Sequence, residues 1–392
     1  MTDPRLAGTT GRLLDSLGPL FDFFTESPWA KKRKEPGACD FLAGNPQEMP
    51  LPEFVEALQR AAVPKNKDWY AYKLAEPEPM KLVAESLREE RGIEFEDEDV
   101  VLTTGAFAGL AITMRTVVDP GDEVIFLSPP WFFYESMIVA AGAEPVRVPI
   151  EPPDFDLPVD AIAAAITEKT RAIIVNSPQN PTGRIYPGSD LQRLADVLTK
   201  ASERNGRPIY LISDEAYCKI VYDDRDFPSP TDFYPNSFLV YTYGKTLLTP
   251  GQRFGYIALP PTMPDRDRMR PAVLVTAVVA GWLFPTALMQ HALPEIDGLS
   301  IDIKALQARR DRMVEALRGF GYETTNPEGT FYLVVRSPDP DDRAFTLKLS
   351  EDRVYVLPGS LFELPGFFRI SITANDDMVE RSLPVFEKAI AG

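Results

Sequence analysis

Histidine is nearly missing from this sequence: His291 is the only one in 392 residues. A Ser-His-Asp or Cys-His hydrolase needs an imidazole poised between a nucleophile and an orienting group, and a histidine-rich metal site needs several. One imidazole just after an apolar stretch supports neither, and His291 reads as structural or surface. Cysteine is almost as scarce. Cys39 and Cys218 cannot build a disulfide framework or a four-ligand zinc site, so no metal centre is expected. Two thiols fit a reducing cytoplasm. Positive charge is in deficit as well, with 41 Lys and Arg against 58 Asp and Glu and a formal net charge of -17. Such a surface favours solubility and repels nucleic acid and anionic membranes, so neither is expected as a partner. Any proton chemistry must therefore fall to lysine, tyrosine, carboxylates or a cofactor.

Long apolar runs are absent with one exception. Ala272 to Met289 carries no charge and is about as long as a bilayer span. Gly281, Pro285 and the lack of a second such run predict a buried helix or a subunit interface instead. The opening residues lack the basic-then-apolar pattern of a secretory leader, and none is expected.

What remains is an ordinary globular composition, 44% hydrophobic and 25% charged, in a chain too long for one compact core. Residues 1–47 read as an N-terminal arm and part of a small domain, with a short helix around Leu13 to Phe24. Residues 48–290 read as a large domain, and 291–392 as a smaller C-terminal one. Apolar runs at Val100–Thr103, Glu123–Leu127, Ala172–Val175, Ile209–Ile212, Phe238–Tyr241 and Tyr256–Leu259 predict strands. Helical patterns lie between some of them, one with Leu110, Met114, Val117 and Val118 on one face, another with Leu191, Leu194, Val197 and Leu198. This alternation predicts an α/β fold with a mostly parallel sheet between helices. A long amphipathic helix over Ile303–Phe320, then short strands, predicts a smaller α+β domain. Ligands of such sheets gather at the carboxyl ends of the strands.

Four segments fall at those ends. Thr104-Gly105-Ala106-Phe107 joins a strand to a helix, where free amides attract phosphate, although a tight structural turn reads the same way. Asn176 to Gly183 (NSPQNPTG) follows a strand and is either loop punctuation or an amide held beside a stiff proline. Asp214, in Ser213-Asp214-Glu215-Ala216-Tyr217, ends an apolar strand; it is a helix cap or a desolvated carboxylate awaiting a cation. Lys245 ends another apolar strand in Thr242-Tyr243-Gly244-Lys245, and Arg253 follows eight residues on. A lysine in a dry site attacks aldehydes, and a guanidinium fork suits phosphate.

The order Asn-Pro-x-Gly, Asp-x-x-Tyr, Lys, Arg resembles the class I/II aminotransferases, the fold-type-I pyridoxal-phosphate enzymes, from about residue 40 to the end. The resemblance implies that Lys245 holds pyridoxal 5'-phosphate as a Schiff base and later carries a proton between substrate Cα and the cofactor. It implies that Asp214 pairs with the pyridine nitrogen, that Asn180 and Tyr217 bond the ring 3'-oxygen, and that Trp131 stacks on the ring. Gly105, Ala106, Phe107, Thr242 and Arg253 would hold the phosphate; Gly244 stands where a serine is usual. Arg369 would take the substrate carboxylate with help from Asn180 and the backbone of Gly44. Tyr70 resembles a tyrosine that reaches the phosphate of a neighbouring subunit, with Tyr72 the alternative and Glu76 standing where glycine is common. A homodimer with shared sites follows from it.

The implied reaction moves an amino group from an L-amino acid to a 2-oxo acid in two half-reactions. The same constellation supports β-lyase or cyclopropane-forming elimination. A regulator that carries this domain without catalysis would need a DNA-binding helix-turn-helix ahead of it, and only about forty residues precede the resemblance.

Overall fold

A computed structural model of the chain describes residues 5–282 and 284–391. Seven strands form the large sheet: β1 (Val100–Thr103), β2 (Glu123–Ser128), β3 (Glu144–Pro149), β4 (Thr170–Asn176), β5 (Tyr210–Asp214), β6 (Ser237–Thr242) and β7 (Gly255–Ala258). Their order is β1-β7-β6-β5-β4-β2-β3, and only β7 runs against its neighbours. Ile173, Ile174, Ile212 and Val240 are essentially inaccessible, as expected of parallel strands covered on both faces. Edge strand β3 escapes a periodicity reading because it contains Pro145 and Pro149 and only Val148 is well buried among mixed neighbours.

Helices cover the sheet through their apolar stripes. In α4 (Gly188–Asn205) the buried residues are Leu191, Leu194, Ala195, Leu198 and Ala201, and Gly206 ends the helix in the left-handed conformation. Earlier in the chain, α1 (Gly8–Glu26) is longer than the expected short helix and packs on α3 (Tyr134–Ala140). Between them lies α2 (Ala106–Val117), wedged against the sheet; a side chain at its Gly109 would run into Val240. The four-residue α5 (Tyr243–Thr246) follows β6.

The uncharged stretch from Ala272 is not one buried helix. Its first part ends α6 (Arg266–Val279), where Val273 and Ala277 are buried but Val275 and Val279 are 59% and 81% exposed. Leu283 lies outside the described residues. Among the described residues no helix is long and apolar enough to cross a membrane.

A second core joins Phe41 to Leu306 and Leu317 of α7 (Ile303–Phe320) and Phe386 of α8 (Asp376–Ala391). These residues pack around a three-stranded antiparallel sheet of β8 (Tyr332–Arg336), β9 (Leu357–Pro358) and β10 (Phe367–Ser371), in the order β9-β10-β8. His291 stacks on Trp69 at 3.6 Å between ring centroids, and its Nε2 lies 2.9 Å from the Trp69 carbonyl, which is a structural use of the lone imidazole.

Candidate active site

Strands β4, β5 and β6 run in parallel and end side by side. The register sets Asn176 beside Asp214, and Asp214 beside Val240 two residues before Thr242. Above these ends opens a cavity of about 140 Å³. Lys245, Asp214, Asn180, Tyr217 and Trp131 line it, together with Phe107, Thr242 and Arg253. Residues predicted from four distant segments thus share one pocket.

One end of the pocket is built for an anion. Gly105 caps α2 with φ +85°, so the first amides of a twelve-residue helix are exposed to the cavity end. A Cβ added at Gly105 would sit 3.2 Å from Arg253 Nη2 and 3.4 Å from Thr242 Oγ1. A guanidinium and a hydroxyl therefore converge on a space that a methyl group would fill. Arg253 itself takes φ +49° and donates through Nη1 to the Pro250 carbonyl at 2.9 Å, which aims its fork. Gly244 has a local reason: a Cβ there would stand 3.0 Å from Pro250 Cα, so a serine would crowd the turn that positions Arg253.

Asp214 lines the same cavity. Burial raises its carboxyl above the ordinary range; the Tyr134 hydroxyl, the Ala216 amide and the Lys245 charge pull the other way. Tyr134 donates to Oδ2 at 2.5 Å, and the Ala216 amide donates to Oδ1 at 3.2 Å. Burial and then the Asp214 charge hold the Tyr134 hydroxyl well above its usual range, so it remains a donor. Next door, fully buried Glu215 accepts from Arg91 Nη2 at 2.5 Å and from Ser213 at 3.0 Å, pinning the segment that carries Asp214 and Tyr217.

Tyr134→Phe should separate these influences. The variant removes a donor from a buried carboxylate, at a cost of about 1–3 kcal/mol where Asp214 is charged. Asp214 then keeps its proton to higher pH. A buried carboxyl with a raised folded pKa contributes stability that is present at low pH and lost as pH rises through that pKa. The loss should therefore continue to higher pH in the variant before it levels off, read as melting temperature of cofactor-free protein against pH. Superimposable profiles would show that Tyr134 does not bias this carboxyl.

Arg369, on β10, is 4% exposed, and among the described residues no carboxylate pairs with it. Nη1 donates to Asn180 Oδ1 at 3.0 Å and Nη2 to the Leu42 carbonyl at 3.2 Å, while Nε has no partner. A buried guanidinium left with a free donor calls for an anion. Its Cζ lies 3.9 Å over the Tyr332 ring. Burial would raise the Tyr332 hydroxyl, but the charges of Arg369 and Lys245 outweigh it and hold it below the usual tyrosine range. The Tyr217 hydroxyl is held well above that range, by burial first and then by its neighbour Tyr332. Gly44 is at the same place, since a Cβ there would meet Phe331 at 2.5 Å and the Tyr332 hydroxyl at 2.6 Å.

Lys245 Nζ lies 5.4 Å from the centroid of Tyr217 and 5.5 Å from that of Phe331. Among the described residues it forms no ion pair. Tyr70 is not brought to this pocket: it is 56% exposed, and its hydroxyl donates to the Ala62 carbonyl. Tyr72 is fully exposed and Glu76 pairs with Lys73. Sequence reasoning missed Tyr134, Tyr332 and the Arg91–Glu215 pair. Tyr134 had a faint signal, three residues after Trp131 in a helical segment. The other two are meetings of distant segments with none.

An amine outside any ion pair, a buried carboxylate and an anion cradle, spaced around one small cavity, suit a flat aldehyde cofactor with an anionic tail. That places the protein among the pyridoxal-phosphate enzymes built on an α/β sheet. The chain belongs to the aminotransferase class I and II family, whose sequence model matches residues 37–385. It is 30% identical to the probable aspartate/prephenate aminotransferase of Aquifex aeolicus, across 89% of this chain and 90% of that one. It is 31% identical to the aspartate/prephenate aminotransferase of Thermus thermophilus, across 89% and 90%. An aminotransferase structure from Eubacterium rectale superposes with a TM-score of 0.90 at 31% identity, covering 98% of both chains. The aspartate aminotransferase structure of Thermotoga maritima gives 0.84 at 26% identity, covering 99% of this chain and 100% of that one.

The expected family and the mostly parallel α/β architecture both hold. The protein is an aminotransferase, and pyridoxal phosphate is the cofactor of its family. The residues present fit that group: the Gly105 cradle suits the phosphate, and the buried Asp214 suits a cationic ring nitrogen.

Proposed function

We propose that Lys245 is the amine that joins the cofactor aldehyde and that Arg369 receives the substrate α-carboxylate, for transfer of an amino group from an amino acid to a 2-oxo acid. The observation that carries this reading is the unpaired Nε of a buried arginine that touches Asn180. Arg369 would grip one end of the substrate, with the Gly44 backbone beside it, and so turn the Cα–H bond toward Lys245. When bound, pyridoxal phosphate supplies an electron sink for the electrons left at Cα. Lys245 takes the Cα proton once its amine is released, and returns it on the other side of the transfer. Asp214 stays anionic opposite the ring nitrogen, positioned by Tyr134. Asn180 and Tyr217 would hold the ring oxygen, and Trp131 would cover the ring. The Gly105, Ala106 and Phe107 amides, Thr242 and Arg253 hold the phosphate.

Residues 48–290 serve as the cofactor-binding domain in this reading, and 1–47 with 291–392 as the smaller one; the core shared by Phe41, Leu306 and Phe386 supports that division. A second copy covers the exposed apolar side of α6 and brings Tyr70 to the neighbouring phosphate. The two free thiols suit a cytoplasmic setting.

The test is a single half-reaction. Loaded protein mixed with an excess of amino donor and no acceptor should release one 2-oxo acid per site and keep the nitrogen on the cofactor. Adding a 2-oxo acid should then return it as an amino acid. Release of free ammonia in the first step would replace transfer with elimination.

A further inference from the structure

The geometry points to an amino donor with an apolar or aromatic side chain and no second carboxylate, a conclusion that rests on the aminotransferase reading above. A carboxylate at the far end of a substrate must be paired with a cation when the site dries, or its desolvation is uncompensated. The residues outside the described ones carry no lysine or arginine, so every such cation of the chain can be placed. Only Lys245 and Arg253 line the cavity, and Arg369 reaches it through Asn180. Each is already committed, Lys245 to the aldehyde, Arg253 to the phosphate and Arg369 to the α-carboxylate. Arg91, behind the Asp214 segment, is bound to Glu215 at 2.5 Å and Asp232 at 3.5 Å.

Phe107 and Trp131 put aromatic rings into the cavity wall, and Phe132 and Phe133 pack behind them. Phe107 stands on the first turn of α2, next to the anion cradle, and is 38% exposed. Its ring meets Trp131 edge-on at 5.0 Å and Phe133 at 5.2 Å, and Phe132 lies 6.3 Å from Trp131. A ring at this height gains from covering an apolar side chain and offers a carboxylate no donor. The relatives named for aspartate are about 30% identical, which leaves room for a pocket of different polarity. The competing source of a cation is a second copy of the chain, and the experiment below detects it.

The half-reaction of the cofactor-loaded protein is measured by the absorbance of the bound cofactor, with phenylalanine, leucine, aspartate and glutamate as donors. The rate constant per unit concentration should favour phenylalanine or leucine over both dicarboxylates by about 100-fold or more, as expected when a polar group finds no partner. Phe107→Lys should narrow that gap at least about tenfold by raising the rate with aspartate, while cofactor absorbance confirms that the variant is loaded. Aspartate or glutamate reacting within tenfold of the better apolar donor in the parent protein would overturn the inference and leave the aminotransferase reading intact. Failure of every amino acid to convert the cofactor would overturn both.

Discussion

Lys245→Ala should lose turnover by more than about 10⁴-fold, the upper end of what one acid–base group contributes, because the same amine both joins the cofactor and moves the proton. The side chain stands over the Tyr217 and Phe331 rings with no ion pair among the described residues, so its removal breaks no salt bridge. Folding should therefore survive, and the melting temperature of the cofactor-free variant should match that of the parent. Attachment gives an independent readout. Borohydride treatment of the loaded parent should fix the cofactor to the peptide containing Lys245, and the variant should yield no such peptide. Cofactor should still enter the variant through the Gly105–Thr242–Arg253 cradle, although it should leave on gel filtration. A labelled peptide centred on any other lysine would remove Lys245 from its proposed role.

The segments legible in the sequence are those where local pattern and global position coincide. Apolar runs such as Ile209–Ile212 are long enough to fix a buried parallel strand, and Asp214 follows directly at its carboxyl end. Gly105 was legible for the same reason, as a glycine in the turn between strand and helix, and the structure gives it a positive φ. What could not be read depends on neighbours distant in the chain. Tyr134 matters because its hydroxyl meets a carboxylate eighty residues away. Tyr332 matters because β8 lays its ring under Arg369 of β10, a register set by the second domain. Edge strand β3 was hidden by its composition, for an edge needs no continuous apolar run. The uncharged stretch after Ala272 misled in part: its apolar residues do not all face this chain's own core, since α6 leaves Val275 and Val279 exposed.

Asp214→Asn should cost about 10²–10³ in turnover, the usual effect of deleting one preorganised electrostatic partner, while changing volume little. With its carbonyl oxygen toward the Ala216 amide, the asparagine NH2 takes the place of Oδ2 and donates to the Tyr134 hydroxyl, which can turn to accept, so both neighbours keep a partner while the charge is lost. The companion effect on stability has a definite sign. In the cofactor-free parent, burial raises the Asp214 carboxyl above its unfolded value. Between those two values the folded state holds a proton that the unfolded state has released, so stability falls as pH rises through the folded pKa. The asparagine variant has no proton to hold there, and its melting temperature should lose that dependence. Loading the parent should have a similar result by another route: a cationic ring nitrogen beside the carboxylate favours its charged form and moves the transition to lower pH. Melting curves of parent and variant, each with and without cofactor, should therefore show the acid-side gain in stability only for the cofactor-free parent. If the cofactor-free variant retained that gain, another group would be titrating, and Asp214 would lose its place as the buried charge that answers the ring.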